Sequence, residues 1–307
     1  MFDLIGNNSV TIYKINTYIL SKMRLSIRLY KSLFYAIIIP MYEQFYNFKE
    51  KPFNVTSDPS FFYLSRKHQE AFSHLIYGID QRKGILEITG EIGTGKTTLC
   101  RALLNRLDKR IKTAFILNPS FSEVQLLQLI IEDLGINPKT RSKIHLISEL
   151  NKFLIKESNE GGNVVLIIDE AQNLKASQLE QIRLLSNLET EKEKLLQIIL
   201  VGQPELKEKL ALPQLRQLNQ RISVKYHIQP LDRDEVKDYI EHRLNVATQN
   251  GNEIQFNSEA LEEIFLYSQG IPRLINIICD RALLAGFVLN SKNITYEIIK
   301  RCVEELK

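Results

Sequence analysis

The 307-residue chain is 44% hydrophobic and 25% charged, an ordinary globular composition that can bury one large or two ordinary cores. Its formal charge of +4 lies wholly in residues 1–40, where Lys14, Lys22, Arg24, Arg28 and Lys31 face only Asp3; the 35 basic and 35 acidic residues that remain cancel. The body therefore lacks the bulk cationic signal of a nucleic-acid or anionic-membrane binder, and Cys100, Cys279 and Cys302 form neither a C-x-x-C pair nor a metal spacing, which points to a reducing, cytoplasmic setting.

The best apolar run in residues 1–40, Leu33 to Ile39, is seven residues long and is followed by Pro40; a membrane helix needs about 20. Extending it backward meets Lys31 and Arg28, and no small-residue cleavage pattern follows. A basic membrane-surface helix and a loose extension both fit this composition. Coherent patterning begins only at Met41, so the expectation is that 1–40 is an untranslated extension and that the protein starts at Met41.

From Met41 the chain enters through an extended stretch between Pro52 and Pro59. Ser65 is then an N-cap for a helix through Ala71, Phe72, Leu75 and Ile76, which Gly78 stops. Phe45, Phe48, Phe53, Phe61, Phe62 and Tyr63 read as core aromatics in preference to the walls of a base pocket.

Ile85 to Thr89 is a short apolar run with β-branched residues, a buried strand, and Leu99, Ala102, Leu103 and Leu107 mark one face of a helix. Between them Gly90, Gly95, Lys96 and Thr97 fit the phosphate-loop pattern G-x-x-x-x-G-K-[ST]. Gly90, Gly93 and Gly95 are expected at positive φ, turning backbone N–H groups around a phosphate at the positive end of the following helix. Lys96 would reach the β- and γ-phosphates, and the Thr97 hydroxyl would hold Mg²⁺.

Thr113 to Asn118 reads as the next strand. Ser120 and Glu123 form a capping box for a helix ending near Gly135, and a helix over about 141–157 carries Ile144, Ile147, Leu150 and Leu154 on one side. Strands alternating with helices indicate a parallel α/β sheet. Val164 to Ile168 is a central buried strand that delivers Asp169 and Glu170 to the ligand edge of that sheet. Asp169 can hold the Mg²⁺ shell, while Glu170, not committed to the metal, can orient and polarise an attacking water.

Leu195 to Val201 reads as another buried strand ending in Gly202 and Gln203, where the amide either senses the γ-phosphate or is a turn residue. Residues 204–221 are helical with a break at Pro213 and carry Arg216 and Arg221; Ile222 to His227 is a strand. Helices follow at 234–247, 258–268, 272–287 and 295–306, with Gly251 and Gly270 between segments and Asn257 or Ser258 as a cap.

Taken together, KPFNVTSDPSFFYLSRKHQEAF, GEIGTGKTTLCRALL, VVLIIDEAQNL, IILVGQPEL, LRQLNQRI and GIPRLINIICDRAL resemble the AAA+ ATPases of the general secretion pathway protein A type, including relatives tied to type IV pilus assembly and polysaccharide export. The resemblance runs from 41 to 307. It implies an α/β AAA+ P-loop core at 41–230, with five parallel strands flanked by helices, and a small all-helical lid at 231–307. Carried over by position, Gly90, Glu91, Ile92, Gly93, Thr94, Gly95, Lys96, Thr97 and Thr98 would be the Walker A loop that binds ATP. Asp169 and Glu170 would be Walker B, and Gln203 sensor 1. Arg221 resembles an arginine finger acting on a neighbouring subunit, preferred over Arg216, and Arg273 resembles sensor 2, aimed at the cleft by the Gly270-Ile271-Pro272 turn.

The expected function is Mg²⁺-dependent hydrolysis of ATP to ADP and phosphate by a homo-oligomer that acts on a membrane-bound secretion, pilus or polysaccharide-export assembly. The protein would be cytoplasmic and peripheral at the inner membrane through that partner. No peptidoglycan-binding domain of the kind found in longer relatives is expected in this chain. The alternative is an ATP-switched DNA-binding adaptor resembling transposition AAA+ proteins, which the neutral body disfavours. A small-molecule P-loop kinase is disfavoured by Glu170 and by the absence of acceptor-binding signatures.

Overall fold

The computed structural model describes residues 42–248, 251 and 253–306; the 1–40 extension and the Met41 start lie outside them. Five parallel strands form one sheet: β1 (Ile85–Gly90), β2 (Ile111–Ile116), β3 (Asn163–Ile168), β4 (Gln197–Gly202) and β5 (Ile222–Ile228), in the spatial order β2-β3-β4-β1-β5. All six residues of β1 and of β4 are buried, and five of six in β3. Parallel strands are covered on both faces and so read as unbroken apolar runs.

Helices α1 (Arg66–Asp80), α2 (Lys96–Arg106), α3 (Glu123–Asp133), α4 (Lys143–Asn159), α5 (Ala176–Leu185), α6 (Pro204–Leu210) and the single turn α7 (Arg216–Asn219) accompany the sheet. Two apolar clusters fill its faces. One joins Ile85, Leu166, Ile168, Ile198 and Leu200 to α3, α4 and α5; the other joins Leu86, Ile88, Val165, Ile167, Ile199 and Val201 to α1 and α2. The alternation of partners along each strand is the two-residue pleat of the sheet.

The chain then forms α8 (Arg233–Ala247), α9 (Ser258–Ser268), α10 (Pro272–Val288) and α11 (Tyr296–Glu304). Between them the two-residue strands β6 (Gln255–Phe256) and β7 (Asn293–Ile294) pair in parallel. A third cluster unites these helices with Tyr42, Tyr46, Phe48, Phe53 and Phe61. The Tyr46 hydroxyl donates to Leu283 O at 2.9 Å, and Lys49 N donates to Ala247 O at 2.9 Å. The first described residues are thus packed on the carboxyl-terminal helices, far from them in sequence.

Several local expectations shift. Gly78 does not stop α1, which runs on to Asp80; it is a contact residue instead, because a Cβ there would lie 2.1 Å from Leu86 Cδ2. The capping box of α3 is Ser122 with Gln125, two residues later than Ser120 with Glu123: Gln125 N donates to Ser122 Oγ and Ser122 N to Gln125 Oε1. Asn118 takes a positive φ of 50°, which ends β2 at Ile116 and gives Ser120 to a turn. The expected helix over 204–221 breaks into α6, a 3-10 turn at Pro213–Leu215 and α7, since proline at 213 removes a backbone donor.

Candidate nucleotide-binding site

The strand order brings three sequence-distant segments to one edge. β4 lies between β3 and β1, so the chain leaving β1 at Gly90, β3 at Ile168 and β4 at Gly202 ends at neighbouring points of the carboxyl-terminal edge. Ligands of open α/β sheets bind outside this edge, where strand order reverses. A cavity of about 300 Å³ lies there, lined by Gly93, Thr94, Gly95, Lys96, Thr97, Thr98, Glu170, Gln203 and Arg273.

The phosphate loop turns as anticipated at two of its three glycines. Gly93 and Gly95 have φ of 84° and 91°, a region costly for residues with a Cβ. Gly90 does not; its smallness answers to packing, since a Cβ would lie 2.8 Å from Ile228 O and 3.0 Å from Thr94 Oγ1. Gly95 caps α2 without a side-chain acceptor, so the first-turn N–H groups and the helix dipole face the cavity. Lys96 is buried and donates from Nζ to Gly90 O and Glu91 O, both at 2.8 Å. Burial lowers its pKa, opposed by Glu170 and Asp169.

Asp169 is 1% exposed at the end of β3. Its Oδ2 accepts from Thr97 Oγ1 at 2.5 Å and its Oδ1 from Glu170 N at 2.9 Å, while burial raises its carboxyl pKa. A hydroxyl and a desolvated carboxylate side by side are hard oxygen donors of the kind Mg²⁺ takes when phosphate and water oxygens complete its shell. The residues present therefore fit that ion. Among the described residues no group of three or more His, Cys, Asp or Glu forms a self-sufficient metal cage.

Glu170 sits at φ 51°, in the left-handed region that few non-glycine residues adopt. Its Oε2 accepts from Gln203 Nε2 at 3.0 Å and from Gln172 Nε2 at 2.5 Å. Gln203 thus lies in the cavity wall against Glu170. Arg273 is exposed at the start of α10; its backbone N–H donates to Gly93 O at 3.3 Å and its side chain lines the cavity.

Arg221 is elsewhere. It is exposed immediately before β5, whose first residue, Ile222, pairs with Ile85 at the opposite end of β1 from the phosphate loop. Its Nη1 donates to Asn187 Oδ1, with Ser186 Oγ at 3.5 Å. Arg216, at the start of α7, is likewise exposed and outside the cavity.

Three parts of the site escaped the sequence reading. His68, 3% exposed on α1, contacts Thr94 O through Nε2 at 2.8 Å and Ser65 Oγ through Nδ1 at 2.8 Å. The carbonyl can only accept, so the ring is the Nε2–H tautomer with the Ser65 hydroxyl donating to Nδ1; burial lowers its pKa. Ser65 three residues before a histidine was the available signal. The far end of the cavity is lined by residues 55–58, Phe61, Phe62 and Tyr63 with Tyr239, Arg243 and Asn276, so Phe61 serves both the core and the cavity. Arg243, 6% exposed, stacks 4.7 Å over the Phe61 ring and donates to Pro52 O at 2.5 Å, Asn54 O at 3.0 Å and Tyr239 Oη at 3.1 Å. The third is Gln172, whose amide donates to Glu170 Oε2 and accepts from Gln203 N.

An AAA domain family model matches residues 79–210. General secretion pathway protein A of Aeromonas hydrophila is 42% identical over 267 residues, 87% of this chain and 48% of that protein, so the chain spans about half the length of the relative it matches. In fold it is similar to the ORC2 protein of Aeropyrum pernix, solved as ADPNP-ADP complexes (TM-score 0.61, 17% identity, 84% of this chain and 72% of that one). It is similar also to Cdc6p of Pyrobaculum aerophilum (0.61, 18%, 80% and 70%) and to the RuvB Holliday junction branch migration motor of Thermotoga maritima (0.52, 16%, 78% and 68%). An AAA domain is therefore matched at residues 79–210, within a chain that resembles General secretion pathway protein A over most of its own length.

Proposed function

We propose that the chain is a Mg²⁺-dependent ATPase that hydrolyses ATP to ADP and phosphate. The observation that carries this reading is the Thr97 hydroxyl bonded to the Asp169 carboxylate beside Lys96, with Glu170 next in the chain and on the same cavity. The loop amides and Lys96 bind and orient the phosphates. Thr97 and Asp169 would hold Mg²⁺, which would supply charge neutralisation to the phosphates. Glu170 accepts a proton from the attacking water, Gln203 holds Glu170 in place, and Arg273 brings a cation from the lid to the phosphates.

The sheet and its flanking helices, through residue 230, would be the motor core and 231–307 the lid, whose angle follows the nucleotide; the entry residues Tyr42 to Phe61, expected with the core, pack on the lid instead. The position of Arg221, outside its own chain's cavity, supports a finger acting on the nucleotide of a second copy, and so a homo-oligomer. By likeness to General secretion pathway protein A, the work would be done on a membrane-bound secretion, pilus or polysaccharide-export assembly from the cytoplasmic side. No described helix is long and apolar enough to cross a membrane, which is compatible with docking on a membrane-bound partner.

The test is steady-state ATP turnover across a protein-concentration series, with and without Mg²⁺ and with and without duplex DNA. Turnover that requires Mg²⁺, rises in specific activity with concentration and ignores DNA supports the proposal. Severalfold stimulation by DNA would instead support the adaptor reading, and no turnover under any condition overturns hydrolysis.

A further inference from the structure

Gln172 lies two residues beyond Glu170, on the 3-10 turn Ala171–Asn173, and does not line the nucleotide cavity. Its amide nevertheless joins two segments at the heart of the site. Nε2 donates to Glu170 Oε2 at 2.5 Å, and Oε1 accepts from the backbone N–H of Gln203 at 3.1 Å. Gln203 Nε2 donates to that same Glu170 oxygen at 3.0 Å. Two amides from different parts of the chain thus hold one carboxylate oxygen, and both approach the same Oε2.

The amide has one workable orientation. Rotating it end for end would set its carbonyl against the Glu170 carboxylate and its NH₂ against an N–H donor, two repulsive contacts in place of two bonds. The turn beneath it is also held. Lys209 Nζ, from α6, donates to Gln172 O at 2.5 Å and Leu174 O at 3.0 Å, and Asn173 N donates to Glu170 O at 2.9 Å. Opposite, β4 ends in Gly202, where a Cβ would lie 2.8 Å from Gln172 Oε1. The strand is bare where the amide passes.

We propose that Gln172 is a positioning residue for the hydrolytic reaction: it ties the orientation of Glu170 to the end of β4, holding Oε2 so that Oε1 is left to accept from the attacking water. The inference rests on the ATPase reading above. A carboxylate on a flexible stem that must meet a water in line with the γ-phosphate loses rate steeply when misplaced, about a hundredfold for an ångström. Because Gln203 both donates to Glu170 and is gripped through its backbone by Gln172, movement of β4 is passed to the general base along two routes.

The experiment compares the full chain with Gln172→Ala and Gln172→Glu, measuring ATP turnover, equilibrium binding of an ATP analogue and thermal unfolding. Gln172→Glu keeps the side-chain volume and the acceptor for Gln203 N but removes the donor and faces Glu170 with a second carboxylate. The expected result is a loss in kcat of about ten- to a hundredfold in both variants, with nucleotide affinity within about twofold of wild type. Wild-type turnover in Gln172→Glu, or a loss that appears in nucleotide affinity and not in kcat, would overturn the positioning role and leave the ATPase reading intact. A wild-type chain that binds ATP without hydrolysing it would remove both.

Discussion

The backbone N–H of Arg273 donates to the carbonyl of Gly93 at 3.3 Å, and the absent Cβ of Gly93 would lie 2.6 Å from Arg273 Cβ. The phosphate loop and the first turn of α10 meet through this backbone bond and through the Arg273 and Ile271 side chains, which pack where a Cβ of residue 93 would lie, and both segments line the cavity. Gly270 serves the same approach: a Cβ there would lie 1.9 Å from Leu231 O, and Leu231 N donates to Gly270 O at 2.9 Å.

Gly93→Ala should therefore fail twice, from a φ of 84° that costs a residue with a Cβ about 1–3 kcal/mol and from collision with α10. The expected outcome is a lower melting temperature and loss of nucleotide binding, read by calorimetry and by titration with a fluorescent ATP analogue. Unchanged binding would show that this contact does not shape the cavity.

Lys96→Ala and Glu170→Gln should separate binding from chemistry. The first removes a charged donor worth about 1.5–3 kcal/mol, roughly ten- to a hundredfold in nucleotide affinity. The second should bind ATP as wild type does and turn it over about 10²–10⁴-fold more slowly. Normal turnover by Glu170→Gln would refute its assignment as the base.

Arg221→Ala should leave nucleotide affinity unchanged, because the residue is outside its own cavity, and lower turnover by about 10³–10⁵-fold if it acts on a second copy. Mixing it with Glu170→Gln should recover activity, since an intact base in one copy then meets an intact arginine from the other. Failure of the mixture to exceed either variant alone, in the presence of mixed oligomers, would move the finger to Arg216 or elsewhere.

His68 carries a pH signature. Burial lowers its pKa, so below the usual imidazole value of about 6.5 the unfolded chain takes up a proton that the folded chain resists. The stabilising contribution is complete above that pH, is lost as pH falls through the folded-state pKa, and is level below it. Comparing melting temperatures of wild type and His68→Gln from pH 8 to pH 5, wild type should show the steeper decline below about 6.5. Parallel curves would mean that the imidazole titrates freely in the folded protein.

Arg243→Ala should destabilise the chain by about 2–4 kcal/mol, because the carbonyls of Pro52 and Asn54 lose a buried donor and Phe61 its stacked cation. Arg243→Lys should recover little, since an ammonium cannot reproduce a planar fork that serves three acceptors. Urea denaturation reads both values; full recovery by lysine would mean that charge alone, not the fork, holds the Pro52 to Asn54 segment.

The phosphate loop, the buried strand before it and the Asp169-Glu170 pair were legible in the sequence because their grammar is local. An apolar run, a glycine turn and a helical face lie within a short span, and backbone sterics and the need to satisfy amides allow such a string few conformations. The same locality explains the small errors: the cap of α3 moved from Ser120 to Ser122 because a turn at Asn118 competes for the residues between, and Gly78 reads as a stop until Leu86 is seen against it. The hydrogen-bond partners of Gln172, His68 and Arg243, and the packing of Tyr42 to Phe61 on the carboxyl-terminal helices, were decided only by tertiary structure. Each depends on a partner brought near by strand order or helix packing, such as Gln203 for Gln172, Thr94 for His68 and Pro52 for Arg243. A buried polar group must find its hydrogen-bond partner wherever the fold supplies one, and no spacing along the chain encodes where that will be.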